Sequence, residues 1–142
     1  METTWDGLPV ARERPFTACV VVWRDGAGGR EFLVLHRAHF RPDFAGDWAW
    51  TPPSGARQPG EDPAAAAARE LREETGLELP LEPVESPDPD VAHYLAEAPR
   101  EAEVALDAEH DGYRWLPLEA AAELCLPAAV ADGLRAAAAS LA

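Results

Sequence analysis

Three glutamates crowd one short segment, Arg69-Glu70-Leu71-Arg72-Glu73-Glu74. At 100° per residue, Glu70, Glu73 and Glu74 would share roughly a third of a helix circumference. Like charges at i,i+3 and i,i+4 repel. The negative end of the helix dipole, near which they would lie, also disfavours carboxylates. Each penalty is only about a few tenths of a kcal/mol, but all have the same sign. One reading is a solvated charged face, with Arg69 and Arg72 screening the acids. The other is a divalent-cation site. Hard cations such as Mg²⁺ take oxygen ligands, commonly carboxylates plus substrate phosphates. Such a cation turns a repulsive cluster into a ligand set.

The wider spacing separates the two readings. Gly55 is followed after five residues by Glu61, and after seven more by Arg69-Glu70-Leu71. Glu73-Glu74 and Gly76-Leu77 complete nine specified positions across 23 residues. This matches every fixed position of the Nudix box, G-x5-E-x7-R-E-U-x-E-E-x-G-U with U aliphatic, so the chain resembles the Nudix hydrolase superfamily. The resemblance implies a Nudix-type α/β/α sandwich and a hydrolase that cleaves phosphoanhydride bonds with Mg²⁺, or Mn²⁺ in its place. Residue by residue, it implies that Glu73 and Glu74 are the principal metal ligands. Glu70 is implied as a further ligand or the group that orients water. Arg69 is implied to hold the helix carboxylates, and the Gly55 carbonyl to be a backbone ligand. Glycine at that position permits positive φ and close approach. Glu61 is expected to support the loop, while Gly76 and Leu77 serve the fold.

Similarity extends past the box. Trp50-Thr51-Pro52-Pro53 and Pro59-Gly60-Glu61-Asp62 resemble the loop of diadenosine tetraphosphate hydrolases within the superfamily. Tyr94-Leu95-Ala96-Glu97, Glu109-His110 and Tyr113-Arg114-Trp115-Leu116 resemble its later segments. Together these reach across about two-thirds of the chain. The resemblance implies dinucleoside polyphosphates as substrates, with Tyr113 stacking on a nucleobase and Trp115 in the core. A MutT-type (deoxy)nucleoside triphosphate pyrophosphohydrolase is the alternative. A catalytically dead nucleotide sensor is a third reading, but such modules tend to lose a box carboxylate, and all are present here. The departures remove positive charge: Ser54 replaces the family lysine, residues 82–90 are short and acidic, and His93 stands where an aromatic is expected. Arg37, Arg41, Arg57 and His39 are candidates to grip phosphate, or else a solvated rim. The general base is left open between Glu70, Glu103 and Glu109, with Glu109 favoured.

The elements that must position these groups read as follows. Phe16 to Trp23 and Glu31 to Arg37 are apolar, β-branched strands around a glycine-rich turn. Trp48 to Thr51 suits a short third strand, and Pro52 to Gly55 breaks regular structure. Pro63 to Thr75 is the clearest helix, with Asp62 at the N-cap, five alanines within and Gly76 past its end. Leu77–Leu81, Val91–Ala98 and Tyr113–Leu116 read as strands, residues 82–90 as a loop, and Pro117–Leu124 and Pro127–Leu141 as closing helices. The pattern predicts a mixed sheet with helices on its faces, an α/β domain. Residues 1–142 are expected to form a single domain, with 1–15 as an extended arm.

Composition bounds the partners. The formal net charge is −14, and every fixed positive charge is an arginine, since the chain has no lysine. Nucleic-acid binding needs a basic footprint and is not expected. A small anionic nucleotide fits only if cations cancel the local field. No apolar run suits a membrane span, and the start lacks the pattern of a secretory signal. Cys19 and Cys125 are read as reduced, buried thiols, so the expected compartment is the cytoplasm. Oligomeric state is not legible.

Overall fold

A computed structural model describes Gly7 and residues 9–141. Ten elements follow in order: β1 (Thr17–Gly26), β2 (Gly29–Arg37), β3 (Trp50–Thr51), β4 (Ser54–Ala56), α1 (Pro63–Thr75), β5 (Glu82–Val84), β6 (Val91–Glu97), β7 (His110–Leu116), α2 (Leu118–Leu124) and α3 (Ala128–Ala139). The strands form one mixed sheet of order β3-β2-β1-β6-β5, with β4 also pairing β1 and β7 pairing β2. β1 and β6 run parallel, while the other pairs are antiparallel.

Side-chain alternation along β1 and β2 builds a core on each face. Val20, Val22, Leu33 and Leu35 pack with Ala66, Ala67 and Leu71 of α1. Val21, Phe32 and Val34 turn the other way, onto Ala121, Ala122, Leu134 and Ala137 of α2 and α3. The result is the expected sandwich of a mixed sheet between helices.

One departure from regular pairing matters for the site. β1 pairs with β2 only at its C-terminal end, Trp23 to Gly26. At its N-terminal end, Thr17 to Cys19 pair instead with Ala56 to Ser54 of β4. The sheet therefore forks, and β4 carries Ser54 and Gly55 into the opening beside α1. Pro52 and Pro53 do interrupt pairing, but the break expected through Gly55 ends at Ser54, where ladder bonds to β1 resume. A second expectation also changes. Leu77–Leu81 is not a strand; its alternate leucines pack on the α1-side core, and Pro80 has no N–H for a ladder. The strand is β5, inside the stretch expected to be a loop, and it pairs with β6. β7 likewise begins at His110 rather than Tyr113, with its register shifting at a bulge between His36 and Arg37.

Residues 1–6 and 8 of the expected arm lie outside the described residues. Within the described part, Val10 and Ala11 are buried, Arg12 to Arg14 are exposed, and the Ala11 N–H donates to the Arg57 carbonyl at 2.8 Å. No helix among the described residues is long and apolar enough to cross a membrane.

Candidate active site

The site begins with a well-defined helix. The Asp62 carboxylate caps α1 by accepting from the N–H groups of Ala64 and Ala65 at 3.1 and 3.4 Å. Gly76 closes it in the left-handed region at φ 74, its N–H donating to the Arg72 carbonyl. Capping fixes the phase of the helix, and Leu71 anchors it on the sheet. Glu70, Glu73 and Glu74 thereby line one cavity with Ser54 and Gly55 of β4.

Arg69 organises the carboxylates. Its Nε and Nη2 donate to the two oxygens of Glu61 at 2.8 and 2.9 Å. Nη1 donates to Glu70 at 2.9 Å and to Glu73 at 3.3 Å, and Nη2 reaches the Ala56 carbonyl at 3.1 Å. All five guanidinium donors are thus engaged. Glu61 in turn accepts from the Gln58 N–H at 2.9 Å, which ties the loop to the helix. The Arg69 hydrogen bonds hold the Glu61 carboxyl below its usual range, and Glu61 raises Arg69 in return.

Glu74 is buried, and its Oε1 accepts from the Ser54 N–H at 3.1 Å. Burial pushes this carboxyl well above the usual range, and the neighbouring Glu70 pushes the same way. Burial also raises Glu70, opposed by Arg69. Glu73 is 52% exposed and paired with Arg69. Gly55 admits this packing: a Cβ there would collide with the Glu70 carboxyl group. The glycine is needed for that approach rather than for positive φ, since it is not among the glycines in that region.

Around these groups lies a cavity of about 700 Å³. Its walls include Glu70, Glu73, Glu74 and Gly55, with Arg37, Glu109 and His110 beside them and His93 further along. Burial lowers Arg37, opposed by the charges of Glu74 and Glu109. Glu109 is exposed to the cavity, whereas Glu103 is not part of its wall. His93 is buried, with Nδ1 2.7 Å from the Ser86 hydroxyl.

Three expected contacts are placed elsewhere. Arg57 is buried, its guanidinium donating to the carbonyls of Pro15, Glu61 and Glu13. Its charge is committed to holding the N-terminal segment, so it is no phosphate rim. Tyr113 lies outside the cavity wall, 43% exposed on β7. It shares a face with Leu35, its partner in the ladder. Arg41 is also outside the wall, 3.7 Å from Asp43.

Two wall residues were not singled out from sequence. His110 has Nδ1 2.8 Å from Asp107 and Nε2 4.0 Å from Glu74. Its identity could have been noticed only from its place after Glu109. Trp48 was read as part of a strand, but it stands 48% exposed at the wall. The thiol Cys19 also lines the cavity, but burial raises it far above the reactive range. Burial likewise raises Cys125 to about 12.

Among the described residues, no three His, Cys, Asp or Glu side chains already surround one point. Arg69 holds Glu70 and Glu73 as ion pairs. The donor set nevertheless fits a hard divalent cation: carboxylate oxygens of Glu70, Glu73 and Glu74, with the Gly55 backbone in direct proximity to Glu70. Two adjacent carboxylates with raised proton affinity are the electrostatic condition such a cation relieves.

The NUDIX domain profile matches residues 13–137. The chain is 38% identical over 107 residues to the asymmetrical bis(5'-nucleosyl)-tetraphosphatase of Mus musculus, covering 66% of this chain and 69% of the relative. It is 32% identical over 133 residues to an octanoyltransferase of Myxococcus xanthus, covering 85% of this chain but spanning only 36% of that protein. Its fold superposes on a C. elegans Ap4A hydrolase binary complex with a TM-score of 0.70 at 33% identity, covering 88% of this chain and 97% of the other. With Arg69, Glu70, Glu73 and Glu74 of the box gathered on one helix beside the forked sheet, the chain belongs to the Nudix hydrolase family.

Proposed function

We propose that this Nudix hydrolase depends on Mg²⁺, with Mn²⁺ able to replace it, and hydrolyses phosphoanhydride bonds of dinucleoside polyphosphates such as diadenosine tetraphosphate. The observation that carries the reading is the carboxylate cluster itself, held by Arg69 at the wall of a cavity of about 700 Å³. That volume falls within the range of small-molecule sites. Likeness to proteins described as an Ap4A hydrolase and a bis(5'-nucleosyl)-tetraphosphatase supports the substrate.

Glu73, Glu74 and Glu70, with the Gly55 carbonyl, would hold the cation. When bound, it neutralises charge on the diphosphate and lowers the pKa of a coordinated water. The chain's own residues do the rest. Arg69 keeps the carboxylates in register. Arg37 faces the cavity and receives phosphate oxygens. Glu109 takes the proton of the attacking water. Glu70 is the alternative base, while Glu103 lies outside the cavity wall.

A specific observation favours a second reading. Arg37 and Arg69 are the only arginines among the cavity-lining residues, Arg69 is saturated, and Asp88 also lines the wall. A shorter phosphate chain requires less positive charge, which suits a (deoxy)nucleoside triphosphate cut by water to monophosphate and pyrophosphate. A nucleotide panel incubated with the protein and Mg²⁺, with products identified by mass, decides between them. ATP plus AMP from diadenosine tetraphosphate is the expected result. No hydrolysis of any nucleotide would overturn the whole reading.

A further inference from the structure

Trp48 presents a contrast with its neighbours. Ala49 and Trp50 are buried, yet the indole between them and Asp47 is 48% exposed at the cavity wall. Its backbone lies at φ 65, the only positive φ outside glycine among the described residues. For a bulky side chain that is an outlier, and it persists only where surrounding structure enforces it. The enforcement is visible. The Trp48 N–H donates to the Leu126 carbonyl at 2.6 Å, and the next residue is held on both sides: Arg37 N–H to Ala49 carbonyl at 3.0 Å, and Ala49 N–H to Gly46 carbonyl at 3.2 Å. An unfavourable backbone is thus pinned so that a large apolar ring remains uncovered.

The surroundings say what would cover it. Ala129 and Val130, at the start of α3, contribute aliphatic surface to the same cavity. Leu126, whose carbonyl holds Trp48, is itself exposed. Arg37 is bonded to the residue next to Trp48 and faces Glu74 and Glu109. One cavity wall therefore carries an aromatic and aliphatic region, an arginine tied to the residue beside Trp48, and the carboxylates. Of the parts of a nucleotide, only the base is flat and apolar-faced. It is the part that stacking on an aromatic side chain recognises without regard to sequence.

We infer that Trp48 is the platform on which a nucleobase of the substrate stacks, with its phosphates directed past Arg37 toward Glu70, Glu73 and Glu74. The inference rests on the nucleotide-hydrolase reading above and adds the residue that recognises the base. It assigns to Trp48 the role that sequence comparison gave to Tyr113.

The test compares equilibrium binding of AMP with that of ribose 5-phosphate, which lacks the base, to wild type, Trp48→Ala and Trp48→Phe in Mg²⁺. Wild type should bind AMP more tightly than ribose 5-phosphate. Trp48→Ala should weaken AMP about 5- to 100-fold, leave ribose 5-phosphate unchanged, and raise KM for hydrolysis more than it lowers kcat. Trp48→Phe should retain most of the preference. Alanine meets the same backbone conformation as tryptophan, and circular dichroism verifies the fold; should Trp48→Ala fail to fold, Trp48→Gly removes both ring and strain. Unchanged AMP affinity in a folded ring-less variant overturns the platform, as does a wild type that binds both ligands equally. If such a variant behaves this way while wild type hydrolyses nucleotides, only the platform is lost. If wild type hydrolyses none, the functional reading falls with it.

Discussion

Glu74 is an acid that the fold makes difficult to ionise. Burial is the largest cause and the Glu70 carboxyl the next, while the Ser54 N–H only partly offsets them. A raised carboxyl pKa means that the native state retains a proton the unfolded chain has released. Stability from this group is therefore fully present below the unfolded value, about 4.3, and is lost as pH rises through the higher native value. In chelator, the melting temperature should fall as pH rises across that window, and Glu74→Gln should flatten the slope and melt higher at neutral pH. With Mg²⁺ the same substitution should lower kcat by about 10³-fold, since a metal ligand can supply several kcal/mol to the transition state. Glu73→Gln should cost similar activity. Steady-state rates beside melting curves measure both effects, and near-wild-type turnover in both variants would contradict the ligand assignment. Arg69 has a different part. Its planar fork serves two directions at once, Glu61 on one side and Glu70 with Glu73 on the other. A lysine ammonium cannot reproduce this geometry. Arg69→Lys should weaken Mg²⁺ affinity about 10- to 100-fold, as loss of an orienting partner commonly does, and titration calorimetry would detect it.

At the level of elements, α1 and β4 meet at Gly55, and that contact gives a separable prediction. A methyl group at Gly55 meets the end of a flexible glutamate rather than backbone. Gly55→Ala should therefore fold with a melting temperature close to wild type, yet displace Glu70 from Arg69 and lower kcat about 10- to 100-fold. A large loss of stability with normal activity would contradict this account. The same junction shows which parts of the fold were legible in the sequence. α1 was readable to its ends because its signals are local: Asp62, Pro63, the alanines and Gly76 act within a few residues. The carboxylates were readable because a helix converts spacing into a shared face. β4 and β5 were not, because each is a three-residue segment whose only claim to be a strand is a partner elsewhere in the chain. Leu77–Leu81 misled for the converse reason: alternating leucines signal burial, and burial here comes from packing without a ladder. That Arg57 and Tyr113 lie outside the cavity wall was not legible, because a side chain's type does not reveal which wall it faces. Trp48 escaped notice because its exposure depends on a backbone angle and on Leu126, 78 positions further along the chain.

For the whole molecule the governing quantity is charge. A chain with net charge −14 repels a polyphosphate at long range. Close in, Asp88 and Glu109 add negative charge to the cavity, and of its two arginines Arg69 is saturated by its own bonds, leaving Arg37. On the proposed reading, metal ions bound with the substrate would supply the missing charge, and activity should depend steeply on Mg²⁺ concentration. Specificity is a comparison of kcat/KM values rather than a single activity. Two features favour the longer substrate: the cavity continues from the carboxylates to Trp48, Ala129 and Val130, and the similarity to tetraphosphatases covers sequence on both sides of the box. Diadenosine tetraphosphate should therefore exceed dATP in kcat/KM by about tenfold or more, equivalent to roughly 1.4 kcal/mol of transition-state binding. Ser54→Lys provides a directional control, because Ser54 lies in the wall and holds Glu74 through its backbone N–H rather than its side chain. A lysine there keeps that bond and adds a cation. It should raise kcat/KM for diadenosine tetraphosphate severalfold more than for dATP, since the longer phosphate chain has more charge to neutralise. Parallel progress curves for both nucleotides with both proteins measure the two ratios. If dATP is preferred by wild type and Ser54→Lys leaves the ratio unchanged, the triphosphate reading replaces the tetraphosphate one.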